Sequence, residues 1–193
     1  MKIESHPIAK GFLSEKAQVL IVGTFPPRST YEELEEDFFF YSSVRNHFWN
    51  IMENIFPKEI LKKTKTRNQN ISDLQIKNNK EKFSTTNHLA FLDFYTKIQR
   101  KCDSTKDSDL LGVDDIIMNN FLNEALDSCP KITKICCTYK LAYENLIQNL
   151  KLDLEKPIYN FQDREIEIIK LLPATRSRDK MELKVNQYKK YLF

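Results

Sequence analysis

Four short runs of apolar residues constrain the fold of this 193-residue chain more than any other feature of its sequence. The runs are continuous rather than alternating, which is typical of β-strands covered on both faces. Segments with apolar residues at helical spacing separate them. This alternation predicts a parallel sheet with helices on both faces. The predicted strands are residues 19–22, 89–94, 132–137 and 166–172, and the predicted helices are residues 45–56, 119–128, 141–150 and 180–192.

A stretch rich in lysine and asparagine, residues 58–87, interrupts this pattern. It contains few apolar residues, so we expect one or two surface helices joined by loop rather than a second core. No internal repeat is present. We therefore predict a single domain over residues 1–193, with residues 58–87 as a polar insertion within it.

Composition excludes several classes of protein. No window approaches 18 uninterrupted apolar residues, which excludes a membrane span, and residues 1–14 lack the apolar core of a signal peptide. Three glycines are too few for a multi-glycine phosphate loop. Four cysteines without paired spacing and only three histidines predict a reduced, cytoplasmic protein without a cofactor, metal or iron–sulfur cluster. The net charge of +3 is compatible with nucleic acid but does not argue for it.

Chemistry is expected where the predicted strands end, because parallel α/β sheets bind ligands beyond the carboxyl ends of their strands. The first strand runs into residues 23–29 (GTFPPRS), where Gly23 permits a sharp turn and two prolines stiffen the loop. Such a loop can hold the backbone of Thr24 and Phe25 against a flat ligand. Asp93 lies at the end of the second strand; it is either a functional carboxylate or a cap of the following turn.

An acidic run at residues 32–37 precedes a second unusual segment, residues 38–49 (FFFYSSVRNHFW). Its aromatic residues either fix the loop to the core or line a binding site. Asn46 lies about 160° around the predicted helix from Phe48, given about 3.6 residues per turn, so it faces away from that apolar residue. It also lies in the first turn, where backbone N–H groups favour anions. The alternative is a simple N-terminal cap.

Two segments resemble the opening of the uracil-DNA glycosylase superfamily: residues 19–27 (VLIVGTFPP) and residues 41–49 (YSSVRNHFW). They are most similar to the hypoxanthine-DNA glycosylase and mismatch-specific uracil/thymine-DNA glycosylase branches, which have a strand, a Gly-X-X-Pro loop and an aromatic residue before an Asn-X-Phe-Trp helix start. Residues 172–177 (LPATRS) resemble the second motif of the superfamily, and residues 89–93 and 107–109 fit the middle of the hypoxanthine branch. The resemblance implies an α/β fold of three layers, α/β/α, around a central, mainly parallel four-stranded sheet.

The chain departs from the pattern of these branches at several positions. Ser43 and Val44 stand where His-Pro is usual, and Thr138 and Tyr139 stand where Asn-Gly is expected after the third strand. Thr24 stands in place of the catalytic Asn or Asp of other branches, a residue that the hypoxanthine branch also lacks. The acidic run would repel a phosphate backbone if it faced the DNA.

The resemblance also implies roles for particular residues. Tyr41 matches the residue whose ring stacks on the flipped base, while Gly23, Thr24 and Phe25 would read the base edge. Asn46 matches the catalytic residue of the hypoxanthine branch, and Asp93 is a second catalytic candidate, as an activator of water. The DNA-binding candidates are Arg28, Ser29, Arg45, Thr175, Arg176, Ser177 and Arg178.

These roles predict a monofunctional DNA glycosylase that removes a deaminated base, hypoxanthine or uracil, during base excision repair. A lyase activity would need a lysine nucleophile, and the matched segments supply none. The alternatives are an inactive nucleic-acid-binding protein of the same fold and a small enzyme acting on nucleotides, which the missing glycine-rich loop disfavours. The expected partner is DNA with a damaged or mismatched base, bound by a monomer without membrane association.

Overall fold

The computed structural model describes residues 3–63, 67–100, 110–112, 118–175 and 180–193. In chain order its strands are β1 (Ile3–Ser5), β2 (Val19–Gly23), β3 (Leu89–Asp93), β4 (Lys97–Arg100), β5 (Leu110–Gly112), β6 (Lys134–Cys137), β7 (Ile158–Phe161) and β8 (Arg164–Lys170). The helices are α1 (Arg28–Leu34), α2 (Phe48–Ile55), α3 (Asp73–Thr86), α4 (Met118–Ser128), α5 (Lys140–Leu150) and α6 (Met181–Leu192), and a 3-10 turn (Glu35–Asp37) follows α1.

The central sheet has the strand order β3-β2-β6-β8-β7. Its first four strands are mutually parallel and coincide with the four predicted strands, so the predicted parallel α/β sheet is confirmed. A fifth strand, β7, adds an antiparallel edge that the sequence analysis did not predict. A separate antiparallel sheet of β1, β4 and β5 was not predicted either.

Alternate side chains of β2 show why the sheet is covered on both faces. Leu20 and Val22 pack in a buried cluster with side chains of α4 and α5, whereas Val19 and Ile21 pack in a second cluster with side chains of α2, α3 and α6. Both faces of a strand therefore carry apolar residues, which is the cause of the continuous apolar runs. The result is the predicted three-layer α/β/α arrangement.

Two local predictions differ from the structure. Helix α2 begins at Phe48 rather than at residue 45, so Asn46 precedes the helix instead of lying in its first turn. In the 58–87 stretch, Leu61, Ile76 and Phe83 are buried, so this stretch covers part of the core as well as surface. Among the described helices, none is long and apolar enough to cross a membrane.

Candidate active site

A cleft with a volume of about 1720 Å³ opens at the edge of the sheet where the parallel strands end. Each of the four parallel strands contributes a residue at or after its carboxyl end: Thr24, Asp93, Tyr139 and Thr175. Pockets for single small ligands usually have about 300–1,000 Å³. The cleft is therefore large enough for more than one nucleotide.

Gly23 lets two polar groups approach each other at the floor of this cleft. A Cβ atom on Gly23 would lie 2.2 Å from Oδ1 of Asp93 and 2.9 Å from the hydroxyl of Tyr41. Gly23 pairs with Asp93 in the register of β2 and β3, which sets the carboxylate beside the turn. Glycine is needed here because any side chain would displace the carboxylate.

A buried histidine fixes the carboxylate of Asp93. The backbone N–H of Ile8 donates to Nδ1 of His6 (2.9 Å), so that nitrogen carries no proton. Nε2 of His6 therefore carries the proton and donates to Oδ2 of Asp93 (3.0 Å). The His6 side chain is only 1% exposed, and its ring packs against those of Phe25 and Phe40. Oδ1 of Asp93 is on the side of Gly23 and Tyr41.

Tyr41 is a rigid aromatic wall of the cleft. Its backbone has a left-handed φ of 58°, a conformation that costs a non-glycine residue about 1 kcal/mol or more. Phe48 stacks on the ring with the centroids 4.7 Å apart. The hydroxyl of Thr138 donates to the carbonyl of Val22 (3.3 Å), so the Tyr41 hydroxyl donates to Oγ1 of Thr138 (3.0 Å). Burial of the hydroxyl, followed by the charge of Asp93, raises the pKa of Tyr41 well above its ordinary value.

Asn46 is buried beside Tyr41, and its side-chain amide is oriented at both ends. The amide oxygen accepts the backbone N–H of Phe48 (2.8 Å), and the amide nitrogen donates to the hydroxyl of Tyr139 (2.8 Å). Because a backbone N–H can only donate, the oxygen and nitrogen positions are unambiguous. The N-cap position of α2 is His47, and Asn46, one residue earlier, accepts the N–H of the first helical residue. The second proton of the Asn46 amide nitrogen is not used in either bond.

Two lysines from the 58–87 stretch line the same cleft. Lys62 is 5% exposed and Lys80 is 4% exposed. Burial lowers the pKa of Lys62 to about 8. Burial, and to a smaller extent the charge of Lys62, lowers the pKa of Lys80 to about 7, although Asp73 acts in the opposite direction. The absence of lysine from the matched sequence segments therefore does not exclude lysine from the cleft.

The predicted DNA-binding residues are only partly brought together. Ser29, Arg45 and Thr175 line the cleft. Arg28 does not line it: its guanidinium forms an exposed ion pair with Glu32 (2.7 Å), which is the main cause of its raised pKa. The three remaining candidates, Arg176, Ser177 and Arg178, lie outside the described residues.

Acidic groups also line the cleft. Glu33 and Asp37, both from the acidic run, are at the side formed by α1 and the 3-10 turn. A phosphate backbone that entered from this side would be repelled. Arg45 and Lys63 also line the cleft, and Lys63 forms an ion pair with another lining residue, Asp73 (3.5 Å).

His6, Lys62, Lys80 and the roles of Thr138 and Tyr139 were not predicted from the sequence. The position of Thr138 and Tyr139 directly after a parallel strand was a usable signal, because the rule that found Asp93 applies to them equally. No comparable signal exists for His6, since 87 positions separate it from Asp93 in the sequence. In the described part of the chain, no group of three or more His, Cys, Asp or Glu side chains is arranged to hold a metal ion.

Comparisons with known proteins support the fold. No protein-family model matches the chain, and no curated protein matches it by sequence. Its structure is similar to a solution NMR structure from Methanosarcina acetivorans described as a "putative Uracil DNA glycosylase", with a TM-score of 0.60 and 17% identity. The similarity covers 99% of this chain and 97% of that one. At this identity the similarity establishes a shared fold and does not distinguish one branch of enzymes from another.

Proposed function

We propose that the chain is a monofunctional DNA glycosylase that hydrolyses the N-glycosidic bond of a deaminated base, hypoxanthine or uracil, during base excision repair. The observation that carries the proposal is the convergence of Tyr41, Asn46 and Asp93 on one cleft at the carboxyl edge of the sheet. The fold shared with the protein described as a "putative Uracil DNA glycosylase" supports the same reaction class.

The cleft supports binding of a base that has left the duplex. Extrusion of a base costs a few kcal/mol, which contacts in the pocket must offset. Phe48 covers one face of the Tyr41 ring, so the ring is held in place and its other face can stack on the base. Stacking of this kind contributes about 1–3 kcal/mol. The backbone of Thr24 and Phe25, at the end of β2, would read the edge of the base.

Bond cleavage needs stabilisation of charge and a positioned water. Negative charge grows on the departing base while the sugar becomes cationic, so hydrogen-bond donors aimed at the base lower the barrier. The second N–H of the Asn46 amide is suited to this task. The carboxylate of Asp93, held by His6, accepts a hydrogen bond from the attacking water and stabilises the cationic sugar. Water supplies the hydroxyl at C1′ and gives up its other proton to Asp93, and the base leaves as an anion that takes up one proton, so that Asp93 is restored to the carboxylate when it releases its own.

Hydrolysis by water is favoured over lysine attack by the contacts of Lys62 and Lys80. The Lys62 ammonium faces three backbone carbonyls, and Lys80 donates to Oγ of Ser42 (2.7 Å). Both nitrogens are thus engaged with the protein rather than presented as nucleophiles. Borohydride trapping with abasic DNA tests this point, because only a lysine–sugar imine is reduced to a stable cross-link.

A second candidate is a protein of this fold that binds nucleic acid without cleaving it. Two observations favour it: both ends of the Asn46 amide are bonded to the protein, and Glu33 and Asp37 place negative charge beside the cleft. This candidate predicts affinity for DNA with no abasic product at any enzyme concentration.

A base-release assay tests the proposal. Purified protein is mixed, in excess, with labelled duplex and single-stranded oligonucleotides that carry uracil, hypoxanthine, xanthine or a thymine mismatch. Alkali then converts abasic sites into strand breaks. With hypoxanthine or uracil, we expect strand breaks that appear only after treatment with alkali. Breaks without alkali contradict the monofunctional assignment, and no break with any of the four bases contradicts the glycosylase assignment.

A further inference from the structure

The loop between Tyr41 and the start of α2 contacts two lysines that the sequence places in a polar insertion. Lys62 and Lys80 are both nearly inaccessible to water. Lysine is rarely buried, because an ammonium group removed from water needs compensating partners. Both lysines find those partners in the same short segment, residues 42–46.

Hydrogen bonds to its main chain fix the position of Lys62. Oε1 of Glu53, a buried carboxylate on α2, accepts the backbone N–H groups of Leu61 and Lys62, each at 2.8 Å. The side chain of Asn68 donates to the carbonyl of Lys62 (2.8 Å). The backbone of Lys62 is therefore anchored to α2, the helix that begins two residues after Asn46.

The side chain of Lys62 extends from this anchor back to the loop. Its ammonium donates to the carbonyl of Asn46 and lies 3.5 Å and 3.4 Å from the carbonyls of Ser43 and Val44. An ammonium has three protons, so three carbonyl oxygens match its capacity. The Ser43 carbonyl also accepts the backbone N–H of Asn46 (3.0 Å), and the N–H of His47 donates to the carbonyl of Ala174 (2.7 Å). Lys62 adds the contact to the carbonyl of Asn46 itself, so the lysine helps to fix where the backbone of Asn46 lies.

Lys80 holds the other end of the same segment. Its ammonium donates to Oγ of Ser42 (2.7 Å) and lies 5.5 Å from the centroid of the Trp49 ring. Ser42 follows Tyr41 directly in the sequence. Lys62 and Lys80, both in the 58–87 stretch, thus hold the loop between Tyr41 and Asn46.

We propose that Lys62 is a positioning residue for Asn46, and that the 58–87 stretch functions as a clamp on the active-site loop. The inference rests on the proposed function, in which Asn46 is catalytic. Lys62 acts through the backbone of Asn46 and does not touch the substrate. A clamp of this kind is needed because small displacements of a catalytic group lower the rate strongly; about 1 Å can reduce it about 100-fold.

A double-mutant cycle separates positioning from general stability. Single-turnover base release and DNA affinity are measured for the wild type, Lys62→Met, Asn46→Ala and the double variant. We expect Lys62→Met to lower the rate about 10- to 100-fold with little change in affinity. In the Asn46→Ala background the same substitution should change nothing further. Rate losses that multiply in the double variant overturn the proposal. Lys82→Met, on the exposed side of α3, is the matched control.

Hydrogen exchange tests the clamp without relying on activity. The backbone N–H groups of Asn46 and Phe48 donate to the Ser43 carbonyl and to the Asn46 amide oxygen. We expect Lys62→Met to lower their protection about tenfold or more, while the amides of β2 stay protected. In Lys62→Gln, which keeps an amide donor, the protection of these amides should be intermediate between the wild type and Lys62→Met. The glutamine variant is used if the methionine variant does not fold.

The results that contradict the clamp differ from those that contradict the proposed function. Unchanged protection at residues 46 and 48 overturns the clamp whether or not the wild type releases a base. Lost protection in a chain whose wild type releases no base contradicts the proposed function and leaves the clamp standing.

Discussion

Lys80 should cause the free energy of unfolding of the protein to rise between pH 7 and pH 9. Replacement of Lys80 with methionine should remove this rise. Lys80 is 4% exposed, and burial lowers its pKa from 10.5 to about 7, with the nearby charge of Lys62 contributing in the same direction. In the unfolded chain the lysine is in water and keeps its ordinary pKa. The native state therefore loses this proton at a lower pH than the unfolded state does.

The sign and size of the effect follow from that difference. Below pH 7 the lysine is charged in both states, and the native state bears the full cost of burying an ammonium. Between pH 7 and pH 10.5 the unfolded state binds more protons, so the free energy of unfolding rises with pH. The slope approaches about 1.4 kcal/mol per pH unit, and the gain from pH 7 to pH 9 is about 2 kcal/mol.

Urea unfolding at pH 7, 8 and 9 measures this gain. Trp49, the single tryptophan, and far-ultraviolet circular dichroism provide two probes of the transition. The unfolding free energy of the wild type minus that of Lys80→Met should rise by about 2 kcal/mol over this range. Ionisation of cysteine and tyrosine affects both proteins and cancels in the difference. Lys82→Met, which removes an exposed lysine of the same helix, should show the wild-type slope. Equal slopes for the wild type and Lys80→Met would refute the reasoning.

Three further substitutions test the floor and wall of the cleft. Gly23→Ala should abolish base release while circular dichroism shows a folded protein, because the new Cβ would stand 2.2 Å from Oδ1 of Asp93; wild-type turnover would show that the close approach is unimportant. Tyr41→Ala should weaken binding to damaged DNA about 5- to 150-fold, as measured by fluorescence anisotropy, because a stacking contribution of about 1–3 kcal/mol is lost; unchanged affinity would remove Tyr41 from the base-binding site. Asp93→Asn keeps the size of the side chain but removes its charge, and should lower single-turnover base release about 100-fold or more; an unaffected rate would exclude the carboxylate from activating water.

The sheet could be predicted from the sequence because its four parallel strands are buried on both faces. Such strands leave continuous apolar runs, and residues 19–22 and 89–94 match β2 and β3 closely. Strand β7 could not be found in this way, since Tyr159 and Asn160 in it are not buried and it has no apolar run. Strand β1 is three residues long and pairs with β4, more than 90 positions later, so nothing local in the sequence indicates the pairing.

The candidate site was predictable only where a residue follows a strand or lies in a recognisable segment. Asp93 ends β3 and Thr24 follows β2, and the structure places both at the cleft. Lys62, Lys80 and His6 have side chains that ordinarily indicate surface positions, and their burial depends on contacts between distant segments. The start of α2 was placed too early because Arg45 and Asn46 are compatible with a helix, whereas the hydrogen bond from Phe48 to the Asn46 side chain ends the helical pattern there.

In the proposed mechanism, Asn46 performs chemistry in a cleft that binds DNA independently of it. The most direct measurement is single-turnover base release together with DNA affinity for the wild type, Asn46→Ala and Asn78→Ala, in which an exposed asparagine of α3 is replaced as the control. We expect the wild type and Asn78→Ala to release hypoxanthine or uracil at the same rate, whereas Asn46→Ala should bind the same DNA and release the base about 100- to 1,000-fold more slowly. Equal release by Asn46→Ala and the wild type, or no release by the wild type in excess over DNA, would contradict the proposed mechanism.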